Sequence, residues 1–377
     1  MRPRRVLFLI PSSDVVPSGK VRVLNYLPYL RNRSVKCKVL DYHHPSILRW
    51  CERQQPERNT LFFLFRIARR ILRYADLCHQ RWIELQLLFI SGRYDAVLIQ
   101  WELLPVLMLR KMLKRNPNLV FDYDDPVFLG SEDRANFVLT HSKVVIAGSQ
   151  YLRSYAEKWN KNVFLIPSSI PIERFDYHRW RASHKHGSRV VIGWIGTQST
   201  LHHLDILTNV FDGLCKGYDL ELKIVGAGSK TCPIAAVGKL KVTLIDRYDE
   251  EEMIHHAFSF DIGIVPLKDT GPSFGKTALK TLVYMAAGVP VVCTPTEANL
   301  ELVVDGVSGF LASAEGDWIE KLARLIVDPP LRRKIGKQGL TICRKGYTTR
   351  RCSELFCEAL DSLVLGDAEG KTGVDLA

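Results

Sequence analysis

Short runs of apolar residues alternate with longer amphipathic segments along most of the chain. The short runs are continuously apolar, which is typical of strands buried on both faces of a parallel sheet. The longer segments repeat apolar positions every three or four residues and predict helices. This alternation predicts an α/β architecture with helices on both faces of each sheet. The predicted strands are residues 6–10, 38–41, 96–100, 119–123, 144–147, 163–166, 190–195, 221–225, 242–245, 262–265 and 289–293.

One predicted helix, residues 276–287, follows a strand and a loop that carries glycines. Leu279, Leu282 and Met285 recur at helical spacing, and Gly288 follows the end of the segment. The free N–H groups and positive dipole end of such a helix attract phosphate, and Lys276 adds a full charge. The start of this helix is therefore a predicted anion site. Other predicted helices are residues 21–31, which Pro28 should kink or shorten, and 61–89, 151–159, 248–258, 318–327, 331–344 and 347–365.

The chain has 377 residues, a length typical of two domains that each bury their own core. We predict a first domain at residues 1–180, a linker with three histidines at 178–189, and a second domain at 187–345. A terminal helix at 346–365 and a frayed tail at 366–377 follow. No apolar run approaches the ~20 residues of a membrane span. The nine cysteines form no CxxC pair and indicate reduced thiols, with no metal site.

The net charge of +12 favours anionic partners, and it is unevenly distributed. Residues 58–115 hold eleven Lys/Arg against four Asp/Glu. Within the predicted helix 61–89, arginines occupy one face, and the apolar face carries Leu61, Phe65, Ala68, Ile71 or Leu72, and Ala75. Two interpretations stay open: a basic helix lying on an anionic bilayer, or a helix packed on the sheet with a solvated arginine face. The residues assigned to membrane or acceptor contact are Phe62, Phe63, Arg66, Arg69, Arg70 and Arg73.

Three aspartates lie at the carboxyl end of the predicted strand 119–123. Side chains alternate along a strand, so Asp122 and Asp124 share one face. This group and Asp125 could bind an acceptor hydroxyl or act as a general base. A metal site is the weaker interpretation, and a helix N-cap with a solvated loop is the structural alternative.

Several motifs occur in an order that resembles the retaining "group 1" glycosyltransferases of the GT-B fold, the glycosyltransferase family four-like proteins. The central match is residues 261–310, with DIGIVPL at 261–267, Gly275-Lys276, Lys280, YMAAGVPVV at 284–292, Asp305-Gly306 and Gly309-Phe310. Further matches lie at residues 22–30, 121–125, 147–149, 166–167 and 192–196. The similarity spans roughly residues 4 to 360.

The resemblance implies two Rossmann-like doubly wound parallel-sheet domains that face each other across a cleft, with the terminal helix packing back on the first domain. The first domain would serve the acceptor and the second the nucleotide sugar. The implied reaction moves a sugar from a nucleotide diphosphate sugar to a hydroxyl of a glycan or lipid-linked acceptor, with retention of configuration. The resemblance also implies cell-envelope polysaccharide or lipopolysaccharide synthesis and no cofactor. Nucleic acid is not an expected partner, because the sequence has no zinc, helix-turn-helix or RNP-like signature. The expected location is cytoplasmic and peripheral to the inner face of the cell membrane.

The site residues follow from the positions that match the family. Relatives place an arginine and a lysine in the loop after residue 196, where this chain has hydroxyl residues, so the diphosphate charge is expected to meet Lys276 and Lys280. Gly19 is either a glycine beside the donor phosphates or a plain turn glycine. The assigned catalytic residues are Asp124, Asp125 and Lys276; the assigned donor-binding residues are Gly19, Gly196, Thr197, Gly226, Gly275, Lys276, Thr277, Lys280, Asn299 and Glu301.

The chain departs from the family at two positions. Most relatives carry two glutamates eight residues apart, and this chain has Gly275 and Val283 there. Neither side chain can accept a hydrogen bond. The alternative function is therefore a non-catalytic GT-B subunit that binds a partner or a lipid, although Glu301 could partly replace the missing carboxylate.

Overall fold

The computed structural model describes residues 5–13, 16–51, 60–101, 104–176, 189–228, 234, 237–268 and 278–365. The chain divides into two compact units, of which unit 1 is Met1–Ser168 with Arg350–Ala377 and unit 2 is Ser169–Thr349. Most of the predicted linker, residues 177–188, lies outside the described residues. The segment before it groups with unit 2, because the Ile170 N–H donates to the Tyr347 carbonyl (2.8 Å) and Phe175 packs in that unit's core.

Unit 1 contains a six-stranded sheet in which all neighbouring strands are parallel. The strand order is β2-β1-β3-β4-β5-β6, so the order along the chain reverses between β1 and β3. Ligands of doubly wound sheets bind at the carboxyl ends of the strands beside such a reversal. The strands are β1 Arg5–Ile10, β2 Lys36–Asp41, β3 Ala96–Gln100, β4 Leu119–Tyr123, β5 Val144–Ala147 and β6 Val163–Leu165.

The helices of unit 1 correct the predicted 21–31 helix. It is divided at Val23, and the first helix already begins at Pro17, whose fixed φ suits the first helical turn. Pro28 is the second residue of the second helix and also lies in its first turn. The predicted 61–89 segment is one helix of 31 residues. The helices are α1 Pro17–Arg22, α2 Leu27–Asn32, α3 Pro45–Cys51, α4 Thr60–Ile90, α5 Val106–Leu113, α6 Glu132–His141 and α7 Gln150–Ala156.

Unit 2 contains a second parallel sheet of six strands, in the order β12-β11-β10-β7-β8-β9. Here the order reverses between β7 and β10. The strands are β7 Val190–Ile195, β8 Leu220–Val225, β9 Lys241–Ile245, β10 Ile262–Val265, β11 Val291–Cys293 and β12 Phe310–Leu311. The helices are α8 Thr208–Leu214, α9 Glu250–Phe258, α10 Leu279–Ala286, α11 Glu297–Leu302, α12 Glu315–Val327 and α13 Pro329–Gly346.

Apolar side chains cover both faces of each sheet, which gives each unit two core clusters. The last helix, α14 (Thr349–Leu365), contributes to the core of unit 1. Its Phe356 ring stacks on Phe8 of β1 at 6.2 Å and contacts Tyr26 at 5.6 Å between ring centroids. The predicted α/β class with two parallel sheets is confirmed.

Two glycines in the middle of neighbouring strands let aromatic rings lie directly on the sheet of unit 2. Gly193 of β7 and Gly263 of β10 are paired in register. A Cβ on Gly193 would lie 2.0 Å from the Phe260 ring, and one on Gly263 would lie 2.5 Å from the Tyr284 ring. The Tyr284 hydroxyl in turn accepts a hydrogen bond from the Ile195 N–H (2.8 Å). Gly263 therefore lets α10 pack closely on β10, and Gly193 lets the segment between α9 and β10 pack closely on β7.

We predict that Gly263→Ala lowers the free energy of unfolding by about 1–3 kcal/mol, because the new methyl group overpacks against Tyr284. Gly316→Ala in α12 is the matched control, since a Cβ there meets nothing within 4 Å. The control should gain up to about 1 kcal/mol from helix propensity. Urea unfolding measures both, and equal stabilities for the two variants would contradict the packing account.

Candidate active site

The loops after β7 and β8 touch at the carboxyl edge of the unit 2 sheet. Gly226 has a φ of +89°, and a Cβ there would lie 2.0 Å from the Gly196 carbonyl oxygen. A Cβ on Gly196 would lie 2.3 Å from the Trp194 ring. The Tyr248 hydroxyl donates to the Gly196 carbonyl at 3.1 Å. Glycine is therefore required at both positions by close backbone packing, whatever ligand the edge binds.

A turn rich in hydroxyl groups follows Gly196. The Thr200 N–H donates to the Thr197 carbonyl (2.9 Å), and the Thr197 N–H donates to Thr200 Oγ1 (3.2 Å). The Thr197 and Ser199 hydroxyls lie 2.8 Å apart. The turn is thus held by its own hydrogen bonds, and residues 196–200 include no basic side chain.

Lys280 supplies a positive charge to this turn from the neighbouring helix α10. Its Nζ donates to Thr200 Oγ1 at 3.3 Å and lies 4.6 Å from the centroid of the Trp194 ring. A cation over an indole face is attracted by the ring's negative face. The structure thereby brings together Gly196, Thr197, Gly226 and Lys280 at the β7–β10 reversal.

The predicted start of this helix is only partly described. Gly275, Lys276 and Thr277 lie outside the described residues. The described helix begins at Leu279, later than the predicted residue 276, with Ala278 at its N-cap in a non-helical conformation. The anion site at the helix start therefore stays a prediction.

Asn299 and Glu301 lie on the short helix α11 and not in a loop, which corrects the sequence interpretation. Asn299 is 1% exposed, and both ends of its amide are used. Its Oδ1 accepts from Thr281 Oγ1 (2.7 Å) and its Nδ2 donates to the Thr294 carbonyl (2.8 Å). Asn299 therefore fixes α10 against the segment after β11 rather than presenting its amide to a donor. Glu301 is exposed, and its donor contact stays a prediction.

Contacts that the sequence did not predict join the segment after β10 to the residues after β7 and to the residue after β11. The Lys268 N–H donates to His203 Nδ1 at 3.1 Å, so this nitrogen is an acceptor. Lys268 Nζ pairs with Asp205 Oδ2 at 2.7 Å. The Leu267 N–H donates to Thr294 Oγ1 at 2.9 Å. Since these partners are far apart along the chain, only the sheet topology could have revealed them.

In unit 1, a buried ion pair stands at the carboxyl end of β4. Arg22 and Asp122 have side chains that are each 1% exposed. Arg22 Nε donates to both carboxylate oxygens of Asp122 (3.1 and 3.0 Å), and Nη1 donates to the Ile166 carbonyl (2.9 Å). Burial alone would lower the pKa of Arg22, but the charge and hydrogen bonds of Asp122 outweigh it and raise that pKa above its ordinary value. Burial also raises the pKa of Asp122, although the charge and hydrogen bonds of Arg22 oppose that rise. The pair fastens α1 to β4.

Asp124 is the second aspartate of this group, and its carboxylate is held by two donors. Its Oδ1 accepts from Ser18 Oγ (2.7 Å) and from Trp101 Nε1 (2.8 Å). Gln100 Nε2 donates to the same Ser18 hydroxyl at 2.7 Å. Trp101 has a φ of +63°, which is strained for a residue with a Cβ.

The structural alternative for these aspartates, a helix N-cap, is wrong. The short 3-10 turn that follows, Val127–Leu129, is preceded by Pro126 and has no side-chain cap. Asp125 is half-buried. No group of three or more metal-ligating side chains occurs among the described residues. Asp124 and Asp125 therefore remain as candidate groups for an acceptor.

Gly19 lies in α1 and not in a loop, which corrects its predicted setting. A Cβ on Gly19 would lie 2.9 Å from the Ser12 carbonyl and 3.3 Å from Ile10 Cδ1. Gly19 therefore allows α1 to pack on the segment after β1. This packing aims Ser18 and Arg22, which the sequence had not singled out as site residues, at the end of β4.

The assigned membrane or acceptor residues lie on α4. Phe63 is 64% exposed, and Arg66, Arg70 and Arg73 are exposed, whereas Arg69 is half-buried. The side chain of Phe62 lies outside the described residues. The predicted apolar face is only partly correct. Phe65, Ala68 and Leu72 are half-buried, with Phe65 stacked on Trp50, while Ile71 and Ala75 are exposed.

The chain matches a family model and a known relative. A model of the family described as "Glycosyl transferases group 1" matches residues 189–328. An uncharacterized glycosyltransferase of Methanocaldococcus jannaschii is 23% identical over 222 residues, which cover 57% of this chain and 58% of the relative.

Solved structures show the same fold at low sequence identity. Sucrose-phosphate synthase from Thermosynechococcus elongatus has a TM-score of 0.71 at 15% identity, covering 97% of this chain and 100% of that one. The Anabaena protein HepE, solved in complex with UDP, has a TM-score of 0.65 at 16% identity, covering 95% of this chain and 100% of that one. HepE has also been solved in complex with UDP-glucose. The family model and the relative bear out the resemblance to the group 1 glycosyltransferases. The solved structures show that the fold is GT-B.

We predict that Arg22→Met lowers the free energy of unfolding by about 3–5 kcal/mol, because it leaves Asp122 buried without its partner. The double variant Arg22→Met/Asp122→Leu should recover much of this loss. Arg153→Met is the matched control, since the Arg153–Glu157 pair is partly exposed (25% and 45%) and should cost below about 1 kcal/mol. Guanidinium unfolding measures all three, and a loss for Arg22→Met no larger than the control would contradict a charged buried pair.

Proposed function

We propose that this protein is a retaining glycosyltransferase that moves a sugar from a nucleotide diphosphate sugar to a hydroxyl of a glycan or lipid-linked acceptor. The observation that carries the proposal is the Lys280 site at the β7–β10 reversal, where a cation meets a hydroxyl-rich turn and two close-packed glycines. The family match, residues 189–328, lies within this unit.

The donor would bind along the carboxyl edge of the unit 2 sheet. Lys280, with Lys276, would neutralise the diphosphate and stabilise the charge that develops on the leaving group. The Thr197 and Thr200 hydroxyls can donate to phosphate oxygens, which suits a turn without basic residues. The other residues proposed to bind the nucleotide sugar are residues 275–277 and Glu301. HepE, which binds UDP and UDP-glucose, supports this class of donor.

The acceptor hydroxyl would bind at the carboxyl edge of the unit 1 sheet. Asp124 is held there by Ser18 and Trp101, so its carboxylate is fixed in place before an acceptor arrives. A preorganised carboxylate can orient a hydroxyl and accept its proton. Asp125 is the second candidate for this role. The proposed retention of configuration needs no nucleophile on the enzyme.

The proposed setting is synthesis of cell-envelope polysaccharide or lipopolysaccharide, at the cytoplasmic face of the cell membrane. It rests on the resemblance and on the excess of positive charge, which favours a phosphate-bearing acceptor. No metal or other cofactor is part of the proposed reaction, and nucleic acid is not a proposed partner.

The alternative, a non-catalytic subunit, rests on the positions that lack glutamate. Val283 lies on the buried side of α10, is 2% exposed and packs in a core cluster of unit 2. It therefore offers no polar group to a nucleotide. The comparisons do not favour this alternative, since the matched family and relative are glycosyltransferases.

We predict that one of UDP, GDP and ADP raises the thermal stability of the protein selectively. A nucleotide at 100 times its dissociation constant should add about 2.7 kcal/mol to the free energy of unfolding. Lys280→Ala should abolish the shift, while Lys337→Ala, an exposed lysine on α13, should leave it intact. If no nucleotide shifts the melting temperature, or if both variants respond alike, the proposed donor site is wrong.

We predict that Asp124→Asn lowers kcat/KM for the acceptor about 10- to 100-fold, as expected from loss of a charge-assisted hydrogen bond. Nucleotide binding should not change, since the residue belongs to unit 1. Asp133→Asn, an exposed aspartate at the start of α6, is the control. Steady-state kinetics with varied acceptor test this role, which fails if both variants retain wild-type kcat/KM.

A further inference from the structure

Helix α4 carries a second apolar face that points to solvent. We call it the α4 stripe. At 100° per residue its members fall within an arc of about 100°, and they extend over about 39 Å of helix. Their exposed fractions run from 42% to 70%. The members are Phe63, Leu64, Ile67, Ile71, Tyr74, Trp82, Leu85 and Phe89.

The opposite face attaches α4 firmly to unit 1. Leu87 is fully buried. Asp76 accepts from the His44 N–H at 2.9 Å, and its other oxygen lies 2.7 Å from His43 Nδ1. The Tyr42 hydroxyl donates to Glu84 at 2.9 Å. The α4 stripe therefore lies about 170° away from the face that folding requires, and packing within unit 1 does not explain it.

The charges that α4 presents to solvent all have one sign. Its two acidic residues, Asp76 and Glu84, are 8% and 2% exposed and take part in the contacts that attach the helix. Arg70 and Arg81 lie at the border of the α4 stripe, and both are exposed. Two more exposed arginines, Arg66 and Arg73, lie farther around the same side of the helix.

We propose that the α4 stripe binds the surface of an anionic lipid bilayer, with α4 lying in the plane of the interface. Long amphipathic helices with arginine beside aromatic and aliphatic residues bind such surfaces. The spacing keeps the stripe straight along the helix, which suits a flat surface better than a left-handed coiled coil. Within the described ranges, no helix combines the length and apolar content needed to cross a membrane.

A second copy of this chain suits the α4 stripe less well. Two α4 helices packed face to face would bring exposed arginines together, and α4 has no exposed acidic residue to pair with them. Like charges in such a contact are unfavourable. The proposal does not depend on the transferase chemistry, and it replaces the predicted bilayer contact through Phe62 and Phe63 with a surface along the whole helix.

Vesicle flotation with the full chain tests the proposal. Wild type should bind phosphatidylcholine vesicles that contain about 30% phosphatidylglycerol at least about tenfold more tightly than pure phosphatidylcholine vesicles. Raising NaCl from about 0.05 to 0.5 M should weaken this binding. Ile71→Ser/Phe89→Ser should lose binding to both vesicles. Arg70→Gln/Arg73→Gln should lower binding to the anionic vesicles about tenfold or more.

The controls change exposed residues outside α4. Leu107→Ser/Leu300→Ser removes apolar side chains that are 66% and 53% exposed, and Arg333→Gln/Lys337→Gln removes two exposed charges of α13. Both controls should bind vesicles like wild type. The proposal is overturned if wild type binds neither vesicle or if the α4 variants bind as the controls do. It is also overturned if light scattering shows a dimer that only Ile71→Ser/Phe89→Ser dissociates and that does not bind vesicles.

Discussion

Burial of both faces of each parallel sheet is the constraint on which the rest of the structure depends. The central strands of such a sheet are mostly apolar because both of their faces are buried, so polar side chains gather at the ends of these strands. In unit 1 these polar side chains are Ser18, Trp101 and Asp124, and in unit 2 they are Lys280 and Thr200. Each lies where the order of strands reverses.

The carboxyl edges of the two sheets accommodate charged side chains in different ways. In unit 1 a fully buried arginine neutralises Asp122, which leaves the neighbouring Asp124 to hydrogen bonds from neutral donors. In unit 2 the Lys280 ammonium lies over the face of the Trp194 ring and donates to the Thr200 hydroxyl. This lysine stands beside a turn that carries hydroxyl groups in place of basic residues.

Much of the fold could be predicted from the sequence, because the buried strands are continuous apolar runs with polar ends. Strands β3, β4, β5 and β7 have the predicted bounds. The two-residue strand β12 was missed because so short a pairing leaves no periodic signal. In the site, a glycine-bearing turn was predictable, whereas the buried amide of Asn299 was not, since residue type does not show which way a side chain points.

Helix α4 shows the limit of periodicity most clearly. Its sequence is apolar on two sides, so an amphipathic pattern cannot tell which side packs on the sheet. The tertiary contacts decide, because Asp76 and Glu84 pair with side chains and backbone of the first unit. Polar residues within an apolar face were the signal that could have identified the buried side. Such residues are buried only where partners exist.

The most direct test of the central claim is to follow the sugar itself. The protein is incubated with each common nucleotide sugar and a mixture of glycan and lipid-linked acceptors, and released nucleotide and product are measured by mass spectrometry and NMR. The account predicts that one nucleotide sugar is consumed, that its nucleoside diphosphate is released, and that the product keeps the anomeric configuration of the donor. A folded protein that consumes no nucleotide sugar, or a product with inverted configuration, would contradict it.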